Sequence, residues 1–433
     1  MAKEKRKRAP KPLKIRPINN FIMLLFLNIF QALTGLSAAL SVDEGGMQIV
    51  LAIGLFIVIE WVYLIVFYTA FHRRNFELEF IAFFLCSVGL CVIGSITPAA
   101  ALRQLLMIVA GILVHIFLVF LMGNVDLCMK LRLPAAIGAL LLMALNIILA
   151  ETTNGAYNWI QIGGENSGIT FQPSEFVKVA FIFVGAATLE KIQTTKNIWA
   201  FLIFACLCVG SMFVIRDFGA ALIFFVTFLI LAFMNSGDIR TVIYSVAAAG
   251  LGAGIIVRYR PYVTERFATY RHVFEDPYGG GQQQTRVLVG LASGGLLGLG
   301  IGQGFVRNVY ASTSDLVFGV ICEEWGLLFG LIVVLSFVGI AVSALKNSIA
   351  SKSAFYSITA VAGAGMLLFQ AALNIFGITD ILPLTGVTLP FVSQGGSSII
   401  SCWAILAFIK ASDVRTYNSG GGQVHRKGGA RQR

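Results

Sequence analysis

The sequence predicts an all-α, polytopic helical membrane protein with about twelve transmembrane helices. Three observations carry this expectation. Mean hydropathy over the 433 residues is +0.84. Hydrophobic residues make up 57% of the chain and charged residues only 12%, whereas soluble domains carry charge on roughly a quarter of their residues. The apolar residues come in continuous runs, and about 20 such residues in a helix cross the hydrocarbon core. Strands of a membrane barrel would alternate in polarity instead, and a disordered chain would be far less apolar.

The runs place spans at 18–42, 48–71, 77–97, 104–123, 133–150, 173–190, 197–215, 218–235, 241–258, 315–344, 354–377 and 396–411. They divide the chain into a basic tail (1–17), an N-terminal five-helix region (18–150), a core (151–411) with a long loop at 259–314, and a second basic tail (412–433). The basic start leads into a full-length span with no small-residue cleavage site before the next one, which argues against a cleavable signal peptide. No internal repeat of the transporter kind is visible.

Orientation follows from the basic residues. With the N-terminus in the cytoplasm, the inner segments hold the tail residues Lys3 to Arg16, then Arg73, Arg74, Lys130, Arg132, Lys191, Lys196, Arg240, Lys346, Lys352 and the run from Lys410 onward. The short outer loops hold only Arg103 and Arg216. Both tails therefore belong inside. The net charge of +11 reads as tails resting on an anionic cytoplasmic leaflet, and no nucleic-acid module is present. The seven cysteines match no zinc or redox spacing.

This topology gathers the polar, Gly/Pro-marked segments 151–172, 259–314 and 378–395 on the outer face. No ATP is available there and the chain has no Walker motif, so an outer-face enzyme needs a substrate that carries its own activation.

Five constellations could carry chemistry. Phe171-Gln172-Pro173-Ser174-Glu175 leads to Lys178. Pro173 suits a first helical turn, and Glu175 and Lys178 share a helix face. They form either a structural ion pair or a pair facing a substrate cavity. Arg216-Asp217 opens a span, where Asp217 either caps the helix or lines a groove. The long loop joins Arg266, Gln283 and Arg286 to a Gly-rich run from Ser293 to Gly304. Arginines grip phosphate and glycines let backbone N–H groups approach an anion, although tight helix packing explains many of the same glycines.

Asp315 stands where the polar loop enters an apolar run, followed by Glu323-Glu324. Partial desolvation raises such a carboxyl above a free aspartate, nearby arginines oppose that shift, and a general base is one role for it. A helix cap or a structural ion pair are the others. Gln370 and Asn374 precede Leu382 to Ser398, where two prolines and the Gly395-Gly396-Ser397-Ser398 run break the backbone. Such backbone at membrane depth survives only inside protein or along a wet cavity, so a re-entrant loop is expected. Glu60 is a lone intramembrane acid belonging to none of these clusters.

These motifs, in order over residues 151–411, resemble the SEDS family (shape, elongation, division and sporulation), which includes RodA, FtsW and SpoVE. The segments that carry the resemblance are Gly155-Ala156-Tyr157-Asn158-Trp159-Ile160, Phe171 to Lys178, Asp217-Phe218-Gly219, Arg266-Phe267 through Asp276-Pro277, Asp315 to Gly326, and Leu382 to Ser398, the last being the most specific. The resemblance implies a peptidoglycan glycosyltransferase of the bacterial cytoplasmic membrane. Such an enzyme polymerises lipid II at the outer face, for elongation, division or sporulation, with a class B penicillin-binding protein as partner. It maps the family's essential aspartate onto Asp315, as the base that deprotonates the acceptor sugar. It also marks Glu175, Lys178, Arg216, Asp217, Arg266, Gln283, Arg286, Ser393, Gly395, Gly396, Ser397 and Ser398 as substrate-binding. No cofactor is implied, and Mg2+ or Mn2+ beside the pyrophosphate is an option without a visible ligand set.

The chain departs from the family's pattern at Asn158, where an arginine is usual, at Arg286, where a glutamine is common, and ahead of Asp315, where Ser314 replaces a threonine and the preceding histidine is missing. Five spans rather than three precede Gly155, so a ten-helix core with two extra N-terminal spans is expected. A lipid II flippase or a non-catalytic cell-wall scaffold are the alternative functions.

Overall fold

The computed structural model describes residues 19–153, 156–162, 169–189, 195–259, 270–351 and 353–417. Among them are fourteen α-helices. The first nine are Asn20–Leu40 (α1), Gly46–Thr69 (α2), Glu77–Ile96 (α3), Pro98–Leu121 (α4), Val125–Leu149 (α5), Pro173–Leu189 (α6), Thr195–Val214 (α7), Phe218–Ser236 (α8) and Ile239–Tyr259 (α9). Gln282–Gly294 (α10) and Val317–Trp325 (α11) follow, then Leu327–Ile349 (α12), Ala354–Ile378 (α13) and Gly396–Ser412 (α14). Eight of the helices are long and apolar enough to cross a membrane, and shorter apolar helices accompany them.

The helices run up and down, so the connections collect at two ends. One end gathers the turn before α2, residues 151–172, 215–217, 270–326 and 379–395. We call it the loop-rich end. Here 151–172 is more than loop. Glu151–Thr153 (β1), Ala156–Ile162 (β2) and Ile169–Phe171 (β3) form an antiparallel sheet in the order β1-β2-β3, a small addition to an otherwise helical chain. The long loop likewise contains α10, which the sequence reading treats as loop.

The expected tenth span at 315–344 is two helices. Gly326, at φ +89°, separates α11 from α12. A helix break strands carbonyls on one side and N–H groups on the other, and the preceding loop satisfies both. Leu299 and Gly300 donate to the Glu323 and Glu324 carbonyls at 3.0 and 2.9 Å, while Leu327 donates to the Gly295 carbonyl at 2.9 Å. Asp315 consequently lies in a turn ahead of α11, and α11 is capped by Leu316 without a side-chain bond. The cap reading of Asp315 is thereby corrected.

α3 and α14 form the enclosed centre, whereas α1, α5 and α12 turn most of their apolar surface outward. Polar pins fix the centre. At the end opposite the loops, Lys410 of α14 pairs with Glu79 of α3 at 2.8 Å, and Asn75 donates to Asp413 at 2.6 Å. Glu60 of α2, the acid without a sequence partner, accepts from Asn28 at 2.8 Å and from Gln31 at 2.6 Å. Gln31 also donates to Ser87 of α3 at 2.7 Å, and Trp61 donates to Asn28 at 2.7 Å. Buried polar groups need such partners, and these join α1, α2 and α3.

Candidate active site

A cavity of about 410 Å3 opens at the loop-rich end. Its walls come from β2 (Asn158, Trp159), α6 (Glu175, Lys178), the start of α8 with Arg216 and Asp217, the turn 310–315, and the irregular segment 385–394. Segments far apart in sequence thus converge on Asp315.

The charged groups in the wall come from three segments: α6, the start of α8 and the turn at Asp315. Glu175 and Lys178, one helical turn apart on α6, form a buried ion pair at 2.8 Å. Lys178 also donates to Gln370 Oε1 of α13 at 2.9 Å, and the Ser401 hydroxyl of α14 donates to Glu175 Oε2 at 2.6 Å. The pair knits three helices and lines the cavity. Asp217 likewise has a partner on each oxygen. One carboxylate oxygen caps α8 through the Ala220 N–H at 2.9 Å, and the other accepts from Asn158 Nδ2 at 3.0 Å. Arg216 before it adopts φ +61°, a conformation L-residues rarely take, at the cavity wall.

Asp315 is fixed by its backbone. Asn374 Nδ2 donates to the Asp315 carbonyl at 2.7 Å and to the Val387 carbonyl at 2.6 Å. The Ser393 hydroxyl donates to the Ser314 carbonyl at 2.6 Å, and the Gln394 N–H donates to the Thr313 carbonyl at 2.8 Å. The side chain is left to face the cavity. Burial pushes its pKa up to about 6; the hydrogen bond from Ser314 opposes the shift and the Asp217 charge adds to it. Gly386, at φ +69°, sits beside it, where a Cβ would come within 3.4 Å of Asp315 Oδ2.

The remaining expected site residues are distributed differently. Ser393, Gly395, Gly396, Ser397 and Ser398 do not line this cavity. The serines brace it from behind: Ser397 accepts from the Gln172 N–H at 3.1 Å, and the Ser398 and Thr388 hydroxyls lie 2.9 Å apart. Gln283 reaches the Tyr310 carbonyl at 3.4 Å from α10, and Arg286 is exposed on the same helix, so neither belongs to the wall. Arg266 lies outside the described residues.

The Gly-rich run meets an anion, and the anion belongs to the chain. Glu323 accepts from the Phe305 and Val306 N–H groups at 3.1 and 2.9 Å, and Glu324 accepts from the Gly302 N–H at 2.9 Å. Those glycines therefore serve loop packing.

Gln370 and Asn374 were legible only as polar residues of an apolar helix, although two amides four residues apart lie on one face. Asn158 Oδ1 and Thr385 Oγ1 are buried without a partner among the described residues, and both residues line the cavity. The described residues contain no group of three or more His, Cys, Asp or Glu able to hold a metal ion.

A family model described as cell cycle protein (FtsW, RodA, SpoVE) matches residues 76–418. The chain belongs to the SEDS family of peptidoglycan glycosyltransferases. A probable peptidoglycan glycosyltransferase FtsW from Wigglesworthia glossinidia brevipalpis is 30% identical over 284 residues, covering 63% of this chain and 74% of that protein. Stage V sporulation protein E of Bacillus subtilis is 31% identical over 256 residues, covering 57% and 68%. A chain from a solved peptidoglycan synthase complex that coordinates polymerization and crosslinking superposes with a TM-score of 0.66 at 25% identity, covering 77% of this SEDS chain and 96% of its own. The SEDS match begins at residue 76 and leaves α1 and α2 outside it.

Proposed function

We propose that this SEDS protein polymerises lipid II into glycan strands at the outer face of the bacterial cytoplasmic membrane, together with a class B penicillin-binding protein. In this reading twelve helices span the membrane, both tails are cytoplasmic, and the loop-rich end faces outward. The relative within a peptidoglycan synthase complex supports the partner. FtsW-named and sporulation-named relatives stand at 30% and 31% identity, so neither elongation, division nor sporulation is preferred.

The observation that carries the reading is the carboxylate of Asp315, held by its backbone and aimed into a polar cavity. Asp315 takes the proton from the 4-hydroxyl of the acceptor GlcNAc. The acceptor oxygen then bonds to the anomeric carbon of the donor as the bond from that carbon to the pyrophosphate oxygen breaks. Undecaprenyl pyrophosphate leaves with the electron pair. Arg216 supplies positive charge at the wall, where a developing anion gains most from fixed charges in a site shielded from water. Asn158 Oδ1 and Thr385 Oγ1 offer acceptors to sugar hydroxyl or amide groups.

The test is polymerisation of labelled lipid II by the full chain with its partner. Wild type forms glycan, and Asp315→Ala reduces the rate by about 10²–10⁴, the usual contribution of a positioned base. Undiminished polymer from Asp315→Ala would remove Asp315 from the mechanism. Lipid II flipping in vesicles without any polymer would favour the flippase instead.

A further inference from the structure

The first of the two helices outside the SEDS match touches the loop that leads to Asp315. Ser41, the C-terminal cap of α1, lies against Gly302; a Cβ on Gly302 would come within 2.5 Å of Ser41 Cβ and 2.9 Å of Arg307 Nη1. Gly302 adopts φ +80°, so the left-handed turn and the close approach both require glycine there. Its peptide groups are gripped on both sides. The Gly302 N–H donates to Glu324 at 2.9 Å, and its carbonyl accepts from Arg307 Nη1 at 2.7 Å. The other Arg307 nitrogen, Nη2, donates to the Ser95 carbonyl near the end of α3.

The contact continues toward the site. The Arg307 carbonyl accepts from the Ser312 hydroxyl at 2.9 Å, three residues before Asp315. Lower on α1, Phe30 packs against Trp325 and Phe329, with centroids 6.2 and 6.0 Å away, at the α11–α12 break. The α1–α2 turn itself is wedged on α4, because a Cβ on Gly45 would lie 2.8 Å from Pro98. One small region thus joins the added hairpin, the family core and the Asp315 loop.

We propose that the outer turn of the α1–α2 hairpin is a positioning element for glycosyl transfer. Ser41 and Arg307 clamp the Gly302 turn, and the clamp sets where the Asp315 loop stands. Arg307 is a positioning residue; it acts through Gly302 and Ser312 and touches no substrate. This inference rests on the polymerase reading given above. A displacement near 1 Å of a reacting group can lower a rate by about a hundredfold, so a loosened clamp lowers kcat and leaves KM for the lipid-linked substrate in place.

The experiment measures kcat and KM of the full chain with its partner for wild type, Arg307→Ala, Arg307→Lys and Ser41→Leu, alongside the melting temperature of each. Arg307→Ala is expected to lower kcat by about ten- to hundredfold at unchanged KM. Lysine, which still donates to the carbonyls, restores much of the loss. Ser41→Leu, which crowds Gly302 from the hairpin side, lowers kcat in the same way. Wild-type polymerisation with no kcat loss in Arg307→Ala or Ser41→Leu overturns the clamp and leaves the functional reading intact. A kcat loss matched by a fall in melting temperature, with no rescue by lysine, reduces Arg307 to a folding role and also overturns the clamp. Absence of polymer from wild type overturns the functional reading, and the clamp's catalytic role falls with it.

Discussion

The side-chain amide of Asn374 holds the main chain of Asp315, donating at 2.7 Å to its carbonyl and at 2.6 Å to that of Val387. One residue of α13 thereby ties the Asp315 turn to the neighbouring wall segment 385–394. Asn374→Leu removes both donors while keeping a side chain of similar size. It is expected to lower kcat by about ten- to hundredfold, and steady-state polymerisation measures it.

The pH profile of polymerisation depends on Asp315, whose carboxyl is raised to about 6 by burial, against the Ser314 hydrogen bond and with the Asp217 charge adding to the rise. A base must be ionised to accept a proton, so kcat/KM rises with pH through about 6 and levels above it. Stability runs the other way. The folded state binds this proton more tightly than the unfolded state, so the group disfavours folding progressively as pH rises from 3.8 through about 6. Asp315→Asn should therefore be inactive yet melt higher than wild type at pH 8, with the difference gone near pH 4. Equal melting temperatures at pH 8 would contradict the burial argument.

Glu175 and Lys178 are a buried pair at 2.8 Å. Removing one partner leaves an uncompensated charge, which costs about 3–5 kcal/mol in buried pairs, whereas replacing both with apolar residues can be neutral. Lys178→Met alone is expected to lower the melting temperature sharply, and Glu175→Leu with Lys178→Met to recover most of it. Polymerisation stays lost in the double variant, because the pair also lines the cavity.

Gly386 takes φ +69° and leaves room beside Asp315 Oδ2. Gly386→Ala adds backbone strain of about 1–3 kcal/mol and further encloses the carboxylate. The acid limb of the pH–rate profile should move upward. An unmoved limb would mean that the Asp315 side chain is not shaped by this neighbour.

Much of the fold was legible because long apolar runs have few alternatives to helix. The departures lie where long-range bonding decides. The break at Gly326 exists because Leu299, Gly300 and Leu327 exchange hydrogen bonds across it, and no local pattern records that exchange. Pro134 lies inside α5, which begins at Val125, well before the expected edge. In the site, Asp315, Glu175, Lys178, Arg216 and Asp217 could be read from sequence because a charge beside an apolar run stands out. Ser393 and the Gly395 to Ser398 run stood out equally, but their serines brace the wall from behind. The Gly302 run looked like a phosphate cradle because a backbone nest does not reveal which anion fills it.

The Glu60 relay has a directional character. An indole can only donate, so Trp61 fixes which way the Asn28 amide faces, and Asn28 and Gln31 then pass the order of donors and acceptors on to Glu60 and Ser87. A one-residue slide of α2 would turn Glu60 and Trp61 away from Asn28 and Gln31 inside oil. The first three helices are therefore keyed like tumblers in a lock, and the α1–α2 hairpin is held at a single depth and rotation.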